Sequence, residues 1–453
     1  MPTKFPPGPP GRFLTGNLRE FRRDMLAFFL KATREHGDVV LIRLGPRRLY
    51  LVSHPDLIEE VLLRNNTNFR KHYALRMNRL LLGNGLLTSE NDFWLRQRRL
   101  VQPAFQRDRI AGYGAIMVEY TERLLARWRN GEIRDVHADM TQLTLEIIAK
   151  TLFGADVHVE APEVGSALAE AQECFLTRFQ SMVPLPEWVP TPNNLRLRRA
   201  IRRLDAIVYR FIAQRRETAQ APSDGTGPPP RDDLLSMLLD AQDEDGSRMD
   251  DRQLRDEAMT LFLAGHDTTA LTLSWAWYML AQNPEVDAKL CAELRQVLGD
   301  RPPSVDDLPR LRYTESVVRE SMRLYPPAYA IGREALTACE LGGYHVPVGQ
   351  TILMCQWVTH RDPRYFANPE KFEPDRWENG LLSRLPKYAY FPFGGGPRVC
   401  IGNAFAMMEA TLVLAGIARR FRFERADTEP VRPRPSLTLR PERGILMRLH
   451  ARS

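Results

Sequence analysis

Cys400 closes a glycine-rich stretch and directly precedes an apolar run that predicts a helix over 403–417. Glycines at 394–396 would let the backbone approach a flat ligand closely. A helix start offers partial positive charge and unpaired N–H groups, which lower the pKa of a thiol and stabilise its thiolate. The residue types and their spacing therefore predict a thiolate that can bind a metal.

The alternative at Cys400 is a small buried hydrophobe, the usual role of a single cysteine in an intracellular chain. We expect that role at the other four cysteines. Five is an odd number, and no two cysteines have a paired spacing, so a disulfide framework is not expected. A reducing compartment, the cytoplasm, is favoured instead. The four are Cys174, Cys291, Cys339 and Cys355.

A second unusual segment, Ala-Gly-His-Asp-Thr-Thr at 264–269, lies in the middle of a long helix predicted over 251–282. Glycine costs about 1 kcal/mol in a helix interior, and an acid and two threonines compete there for backbone groups. One interpretation is a kink whose threonines bond to carbonyls one turn earlier. The other is a local opening of the helix that has a functional role. His266 is not expected to be a ligand.

Two further pairs lie at helical spacing. Glu320 and Arg323 are three residues apart, which alone is typical of a weak surface bridge. Trp94 and Arg98 are one turn apart, which alone fits a surface helix with a packed tryptophan.

Phe-x-x-Gly-x-Arg-x-Cys-x-Gly at 393–402 matches every fixed position of the haem-binding signature of the cytochrome P-450 family, the haem-thiolate monooxygenases. The resemblance extends from the proline-rich start to the C-terminal tail. It implies that Cys400 is the proximal ligand of haem b, where a thiolate favours O–O bond cleavage. Phe393 and Arg398 lie inside the same signature.

The resemblance also assigns roles elsewhere. Asp267 and Thr268 become the catalytic acid and alcohol, because 264–269 matches the family's oxygen-activation motif, which begins at Ala264. Arginine is planar and always charged, which suits it to the carboxylates of the haem propionates. The implied propionate partners are Trp94, Arg98, Arg333 and Arg398.

Glu320 and Arg323 match the family's Glu-x-x-Arg pair, and Arg376 takes the place of its third member. The implied role is structural, a partly buried charge network that fixes the core around the haem loop. Breaking one partner of such a network is costly.

The implied reaction inserts one oxygen atom from O2 into a lipophilic substrate: a fatty acid, a terpenoid or a steroid-like molecule. The expected pocket residues are mostly apolar, while Tyr73 and Arg76 could anchor a carboxylate or lie in an exposed loop. The alternatives are a peroxide-dependent or isomerising haem enzyme and a non-catalytic haem-thiolate sensor. Such enzymes often lack the acid–alcohol pair, which this chain has.

No flavin or iron–sulfur segment is recognisable. Electrons from NAD(P)H are therefore expected to arrive through a separate ferredoxin or flavodoxin and its reductase. The net charge is +7, but no nucleic-acid motif accompanies it, so most arginines are expected to be solvated. A monomer is expected.

The helix and strand patterns along the chain predict one domain over 1–453, mainly α with a small β-sheet region. The resemblance implies the cytochrome P-450 fold, with haem between the long central helix and the helix after the cysteine loop. We expect strand hairpins at 39–53 and 436–449 and a mobile loop at about 219–233. No run of about 18 apolar residues is present, and the proline-rich start resembles a hinge without its membrane anchor. The basic, mildly amphipathic segment 18–31 is interpreted as a surface helix, with membrane contact as the alternative.

Overall fold

The computed structural model describes residues 4–155, 161–180, 186, 188–220, 233–242, 246 and 248–452. Most of the loop expected at about 219–233, residues 221–232, lies outside them. The chain divides into two units. The first, here called the sheet unit, comprises Met1–Arg76, Arg319–Cys400 and Arg432–Glu442. The second, the helical unit, comprises Met77–Val318, Ile401–Val431 and Arg443–Ser453.

Helices dominate the described chain. The α-helices are α1 Leu18–Arg23, α2 Met25–His36, α3 Pro55–Glu59, α4 Tyr73–Arg76, α5 Arg79–Leu82, α6 Asn91–Val101, α7 Arg107–Leu125, α8 Val136–Phe153, α9 Ala161–Gln180, α10 Pro192–Gln220, α11 Leu234–Asp240, α12 Asp251–Leu280, α13 Pro284–Leu298, α14 Arg312–Leu324, α15 Gln356–Thr359, α16 Leu381–Arg384 and α17 Asn403–Arg420. A π-helical turn, Glu60–Arg64, extends α3. Short 3-10 turns are Asn66–Asn68, Gln102–Phe105, Val305–Arg310, Pro374–Gly380 and Gly396–Arg398.

The strands are short. They are β1 Val39–Leu44, β2 Arg47–Val52, β3 Phe69–Lys71, β4 Ile133–Asp135, β5 Ile331–Ala335, β6 Cys339–Leu341, β7 Tyr344–Val346, β8 Thr351–Met354, β9 Phe421–Arg425, β10 Pro433–Pro435, β11 Leu439–Pro441 and β12 Leu446–Ala451.

The sheet unit is built on five strands in the order β1-β2-β8-β5-β3. Strands β2 and β8 run parallel, and the other neighbours are antiparallel. Side chains alternate between the two faces of a strand, and both faces of β1 are covered. Val39 packs in the cluster with Tyr50 and Val52, whereas Val40 and Ile42 pack in the cluster around α2. The predicted hairpin at 39–53 is confirmed.

The helical unit is centred on α12. Asp250 caps its first turn by accepting from the Gln253 N–H at 2.7 Å, while Gln253 Oε1 accepts from the Asp250 N–H at 3.3 Å. Asn283 and Pro284 follow its end and begin α13. Nearly all of α12 is buried, because apolar residues lie on all its sides, and it packs against α8, α10 and α17. Strands β4, β12 and β9 form a small antiparallel sheet in the same unit.

Two local predictions need correction. The tail 436–449 is not a hairpin, because its two strands pair elsewhere: β11 with β10, and β12 with β9 and β4. The segment 18–31 is not one helix. Asp24 takes an extended conformation and caps α2 by accepting from the Ala27 N–H at 3.0 Å, so α1 ends before it.

The predicted fold class, mainly α with a small β region, is confirmed. Within the described ranges, none of the helices has both the length and the apolar character needed to cross a bilayer.

Candidate functional site

The Cys400 loop is held by its own backbone. The Cys400 N–H donates to Phe393 O at 3.0 Å, and the Val399 N–H donates to Gly396 O at 3.1 Å. Gly402 caps α17, so the thiol stands just before a helix start, as the sequence predicted. Of the five cysteines Cys400 alone is exposed; Cys174, Cys291 and Cys355 are buried and Cys339 is partly buried.

Two loop glycines are required by close packing. Gly396 has a φ of +65°, and a Cβ there would lie 1.8 Å from the carbonyl oxygen of Leu62. A Cβ on Gly395 would lie 2.2 Å from the ring of Tyr388, whose hydroxyl accepts from the Gly396 N–H at 3.2 Å. Larger residues would displace the loop. The glycines therefore fix the position of the exposed sulfur as well as the surface around it.

Two buried cations lie side by side on the central sheet. Lys71 of β3 and Arg333 of β5 are direct cross-strand partners, so their side chains share one face. They are only 4% and 9% exposed. Like charges opposite each other destabilise a sheet, and burial raises that cost. An anionic ligand on this face would meet two cationic side chains. Arg333 was predicted as a propionate partner, whereas Lys71 was missed, because its register opposite Arg333 is not visible in the sequence.

The motif at 264–269 lies within a continuous α12. Ala264 is exposed and Thr268 is half-buried, although the helix around them is buried. These two positions are one turn apart and mark an open stripe on the helix. Thr268 Oγ1 donates to Ala264 O at 2.8 Å, and Thr269 Oγ1 donates to Gly265 O at 3.2 Å. Both threonines therefore bond to carbonyls one turn earlier, as the first interpretation predicted. The helix surface is also exposed at Ala264 and Thr268.

Asp267 and His266 are buried in α12. His266 Nδ1 lies 2.9 Å from Phe262 O, as expected of a structural histidine. Glu409 of α17 was not predicted. It is fully buried, and this burial raises the pKa of its carboxyl to about 8, while the neighbouring Thr269 hydroxyl offsets part of the rise. Its signal, a lone acid in an apolar helix, was present in the sequence.

The remaining predicted cofactor residues are placed as follows. Trp94 is buried on α6, and Arg98 lies one turn later, half-buried, on the same side of that helix. Arg398 ends the 3-10 turn before Cys400, and Phe393 begins the loop; both are half-buried. Trp94 and Arg98 belong to the helical unit, and Phe393, Arg398 and Arg333 belong to the sheet unit.

The predicted ion network forms within the sheet unit. Glu320 is fully buried, and its carboxylate accepts from Arg323 Nη2 at 2.8 Å and Nε at 2.9 Å and from Arg376 Nε at 2.9 Å. The same carboxylate also accepts from the Glu373 N–H at 3.0 Å and from Trp377 Nε1 at 2.9 Å, so it has five donors in all. The guanidinium of Arg323 also makes hydrogen bonds outside the ion network. It donates to three carbonyl oxygens, those of His360, Pro369 and Lys371.

Arg76 does not have a free guanidinium for a substrate. It donates to Glu334 Oε2 at 2.9 Å, and its Nη1 donates to Lys71 O at 2.8 Å. Tyr73 packs under the guanidinium of Arg47, which lies 4.4 Å from the ring centre. Of the two residues considered as carboxylate anchors, Arg76 therefore already has a carboxylate partner in its own chain.

The sheet unit contains groups whose chemistry suits a haem and its two propionates. An exposed thiol ends a glycine loop, and two buried cations, Lys71 and Arg333, lie side by side on the sheet. A soft sulfur donor suits iron, and the paired cations suit a carboxylate. The residues present therefore fit haem.

Comparison with known proteins agrees with this chemistry. The family model described as Cytochrome P450 matches residues 6–448. Cyclooctatin synthase of Streptomyces melanosporofaciens is 40% identical over 439 residues, which cover 95% of this chain and 92% of that protein. Cyclooctat-9-en-7-ol 5-monooxygenase of the same organism is 37% identical over 413 residues, 91% and 86% of the two chains.

Pentalenene oxygenase of Streptomyces avermitilis is 34% identical over 429 residues, 94% of this chain and 93% of that protein. The match to the family model spans nearly the whole chain and includes the loop that ends at Cys400. The chain therefore belongs to the cytochrome P450 family and is a haem monooxygenase of lipophilic substrates.

Proposed function

We propose that this chain hydroxylates a cyclic terpenoid, using haem b held by Cys400. The exposed thiol at the end of the glycine loop carries the haem assignment. The substrate class is supported by the names of two relatives, the cyclooctat-9-en-7-ol 5-monooxygenase and the pentalenene oxygenase. When bound, thiolate-ligated haem supplies O2 binding and O–O bond cleavage.

The chain's own residues would bind and orient the cofactor. Lys71, Arg333 and Arg398 of the sheet unit are proposed to hold propionates, as are Trp94 and Arg98 of the helical unit. A propionate carboxylate that reached both Lys71 and Arg333 would accept a charge-assisted hydrogen bond from each. Phe393 of the Cys400 loop and the exposed Ala264 of α12 are proposed as further contacts of the cofactor.

Thr268 and Asp267 are proposed to move protons. The Thr268 hydroxyl has its proton on Ala264 O, so its oxygen can accept a hydrogen bond from water. If the hydroxyl rotates, the same group becomes a donor toward the open stripe of α12. Asp267, one residue earlier and buried, is proposed to resupply that proton from solvent.

Electrons are proposed to come from NAD(P)H through a separate ferredoxin or flavodoxin and its reductase. The five cysteines form no disulfide, which supports a cytoplasmic location. We further propose a monomer whose two units act together as one domain.

The test measures product formed per NADH consumed, with a ferredoxin, its reductase and a panel of cyclic terpenoids, fatty acids and steroids. Thr268→Ala is expected to keep haem, substrate binding and NADH consumption but to divert electrons into hydrogen peroxide. Acid–base groups of this kind contribute about 10²–10⁴-fold. Thr272→Ala is the matched control, because its hydroxyl makes the same back-bond, to Thr268 O at 2.9 Å.

Wild-type coupling in Thr268→Ala would exclude the proposed proton route. Product from added hydrogen peroxide, without NADH or donor proteins, would favour the peroxide-dependent alternative. Haem spectra that respond to fatty acids and to no terpenoid would refute the substrate class alone.

A further inference from the structure

Residues 12–16 form a tight turn whose tip carries two large apolar side chains. The Arg12 N–H donates to Gly16 O at 3.0 Å, and the Gly16 N–H donates to Arg12 O at 2.9 Å. Phe13 and Leu14, between them, are 91% and 79% exposed, the highest values of any large hydrophobic side chains in the described ranges. Single exposed apolar residues are ordinary, but two adjacent ones at a turn tip indicate a contact surface.

The turn is held rigidly against β1. Asn17 is 2% exposed, and its side-chain nitrogen donates to the carbonyls of Pro9 at 3.3 Å and Pro10 at 3.2 Å. Its side-chain oxygen accepts from the Arg43 N–H at 3.1 Å, and its own N–H donates to Arg43 O at 2.7 Å. Phe13 and Leu14 are therefore presented in a fixed position, and binding through them costs little ordering entropy.

Basic residues surround this tip in the sequence. Between residues 12 and 23 the chain has four arginines and one acid, Glu20. The four arginines, Arg12, Arg19, Arg22 and Arg23, are all exposed. Arg43, on β1, donates to Phe13 O at 3.1 Å. The nearest other acid along the chain, Asp24, caps α2. The tip is therefore apolar and its flank is positive.

We propose that the turn 12–16 and helix α1, together called the apolar wedge, form a peripheral binding surface for an anionic lipid bilayer. Phe13 and Leu14 would enter the boundary between headgroups and acyl chains, and the arginines would contact acidic headgroups. The apolar tip suits the layer where the acyl chains begin, and the basic flank suits the layer of acidic headgroups. The contact requires no spanning helix.

The proposed membrane contact does not depend on the proposed reaction, but it would help the enzyme to reach its substrate. A lipophilic substrate concentrates in bilayers, so a monooxygenase held at the surface meets more of it. The binding is testable without haem turnover, and its failure would leave the proposed function intact.

The experiment sediments the holoenzyme with vesicles of phosphatidylcholine alone or mixed equally with phosphatidylglycerol. Binding is expected only to the anionic vesicles and is expected to weaken with added salt. The double variant Phe13→Ser/Leu14→Ser should bind about tenfold more weakly or worse, because burying either side chain is worth on the order of a tenfold change in partitioning. Arg19→Glu/Arg23→Glu should lose binding at low salt.

Val348→Ser is the matched control, since Val348 is 67% exposed in the same unit but outside the wedge. It is expected to bind as the wild type does. Absence of wild-type sedimentation, or equal sedimentation of wild type and the Phe13/Leu14 variant, would overturn the proposal. Light scattering that shows a dimer converted to a monomer by the same variant would also overturn it, and would assign the wedge to a second copy of this chain.

Discussion

Replacing Glu320 by alanine should abolish the accumulation of haem-loaded protein. The substitution removes the acceptor of five donors at once, four of them side-chain N–H groups and one the Glu373 amide. It also leaves Arg323, which is fully buried, without its carboxylate. Arg376 would keep Glu373 Oε2 at 2.9 Å, so the larger loss is at Arg323.

The magnitude follows from these contacts. An orphaned buried donor costs about 1–3 kcal/mol, which for five donors would give about 5–15 kcal/mol if nothing relaxed. Arg323 keeps three carbonyl acceptors, and water can enter the space left by the side chain, so the lower end applies. Loss of one partner of a buried ion pair costs about 3–5 kcal/mol. Domains are stable by only about 5–15 kcal/mol, so the variant should be largely unfolded in the cell.

The assay is the yield of folded, haem-containing protein, followed by thermal unfolding of whatever accumulates. Glu35→Ala is the matched control, because Glu35 pairs with Lys31 at 3.8 Å on the exposed side of α2 in the same unit. Surface pairs of this type are worth about 0–1 kcal/mol, so the control should behave as the wild type does. Normal yield and an unchanged melting temperature for Glu320→Ala would refute the reasoning and show that the network contributes little.

Three further predictions concern the cofactor site. Cys400→Ser should lose the strongly red-shifted Soret band of the reduced CO complex, whereas Cys291→Ser, at a buried cysteine, should keep it; an unchanged spectrum in Cys400→Ser would exclude Cys400 as the ligand. Lys71→Met should weaken haem retention by about 10–100-fold, the value of a charge-assisted hydrogen bond, while the exposed Lys31→Met should not; equal haem loss rates would remove Lys71 from the site. Glu409 keeps its proton in the folded state up to pH about 8, whereas the unfolded chain loses it near 4.5, so stability should fall as pH rises between these values. Glu409→Gln should raise the melting temperature more above pH 8 than below pH 4.5, and a constant difference would contradict the burial effect.

Sequence reasoning reached furthest where one local pattern fixes both structure and chemistry. The Cys400 loop and the strands at 39–53 could be predicted from local patterns. The network of Glu320, Arg323 and Arg376 was implied by the family resemblance, because the spacing of Glu320 and Arg323 alone is typical of a surface bridge. Trp377 Nε1 also donates to Glu320, and this bond was not predicted because the resemblance assigned Trp377 no role.

The failures have a common physical cause. Lys71 could be paired with Arg333 only once the order and register of β3 and β5 were known. The tail 436–449 alternates like a hairpin, yet its two strands, β11 and β12, are hydrogen-bonded in different sheets. Alternation shows which residues face inward, but not which strand is the neighbour.

The strand order of the sheet unit also sets a waiting time during synthesis. Strand β2 ends at Val52, and its parallel partner β8 begins only at Thr351, about 300 residues later. At roughly 5–20 residues per second, a ribosome takes about 15–60 s to make that interval. During it, the β1–β2 hairpin has an open edge that includes Leu49 and Leu51, and open apolar edges are templates for wrong pairing. Premature pairing of this edge between chains on one polysome would therefore lower the yield of the folded protein.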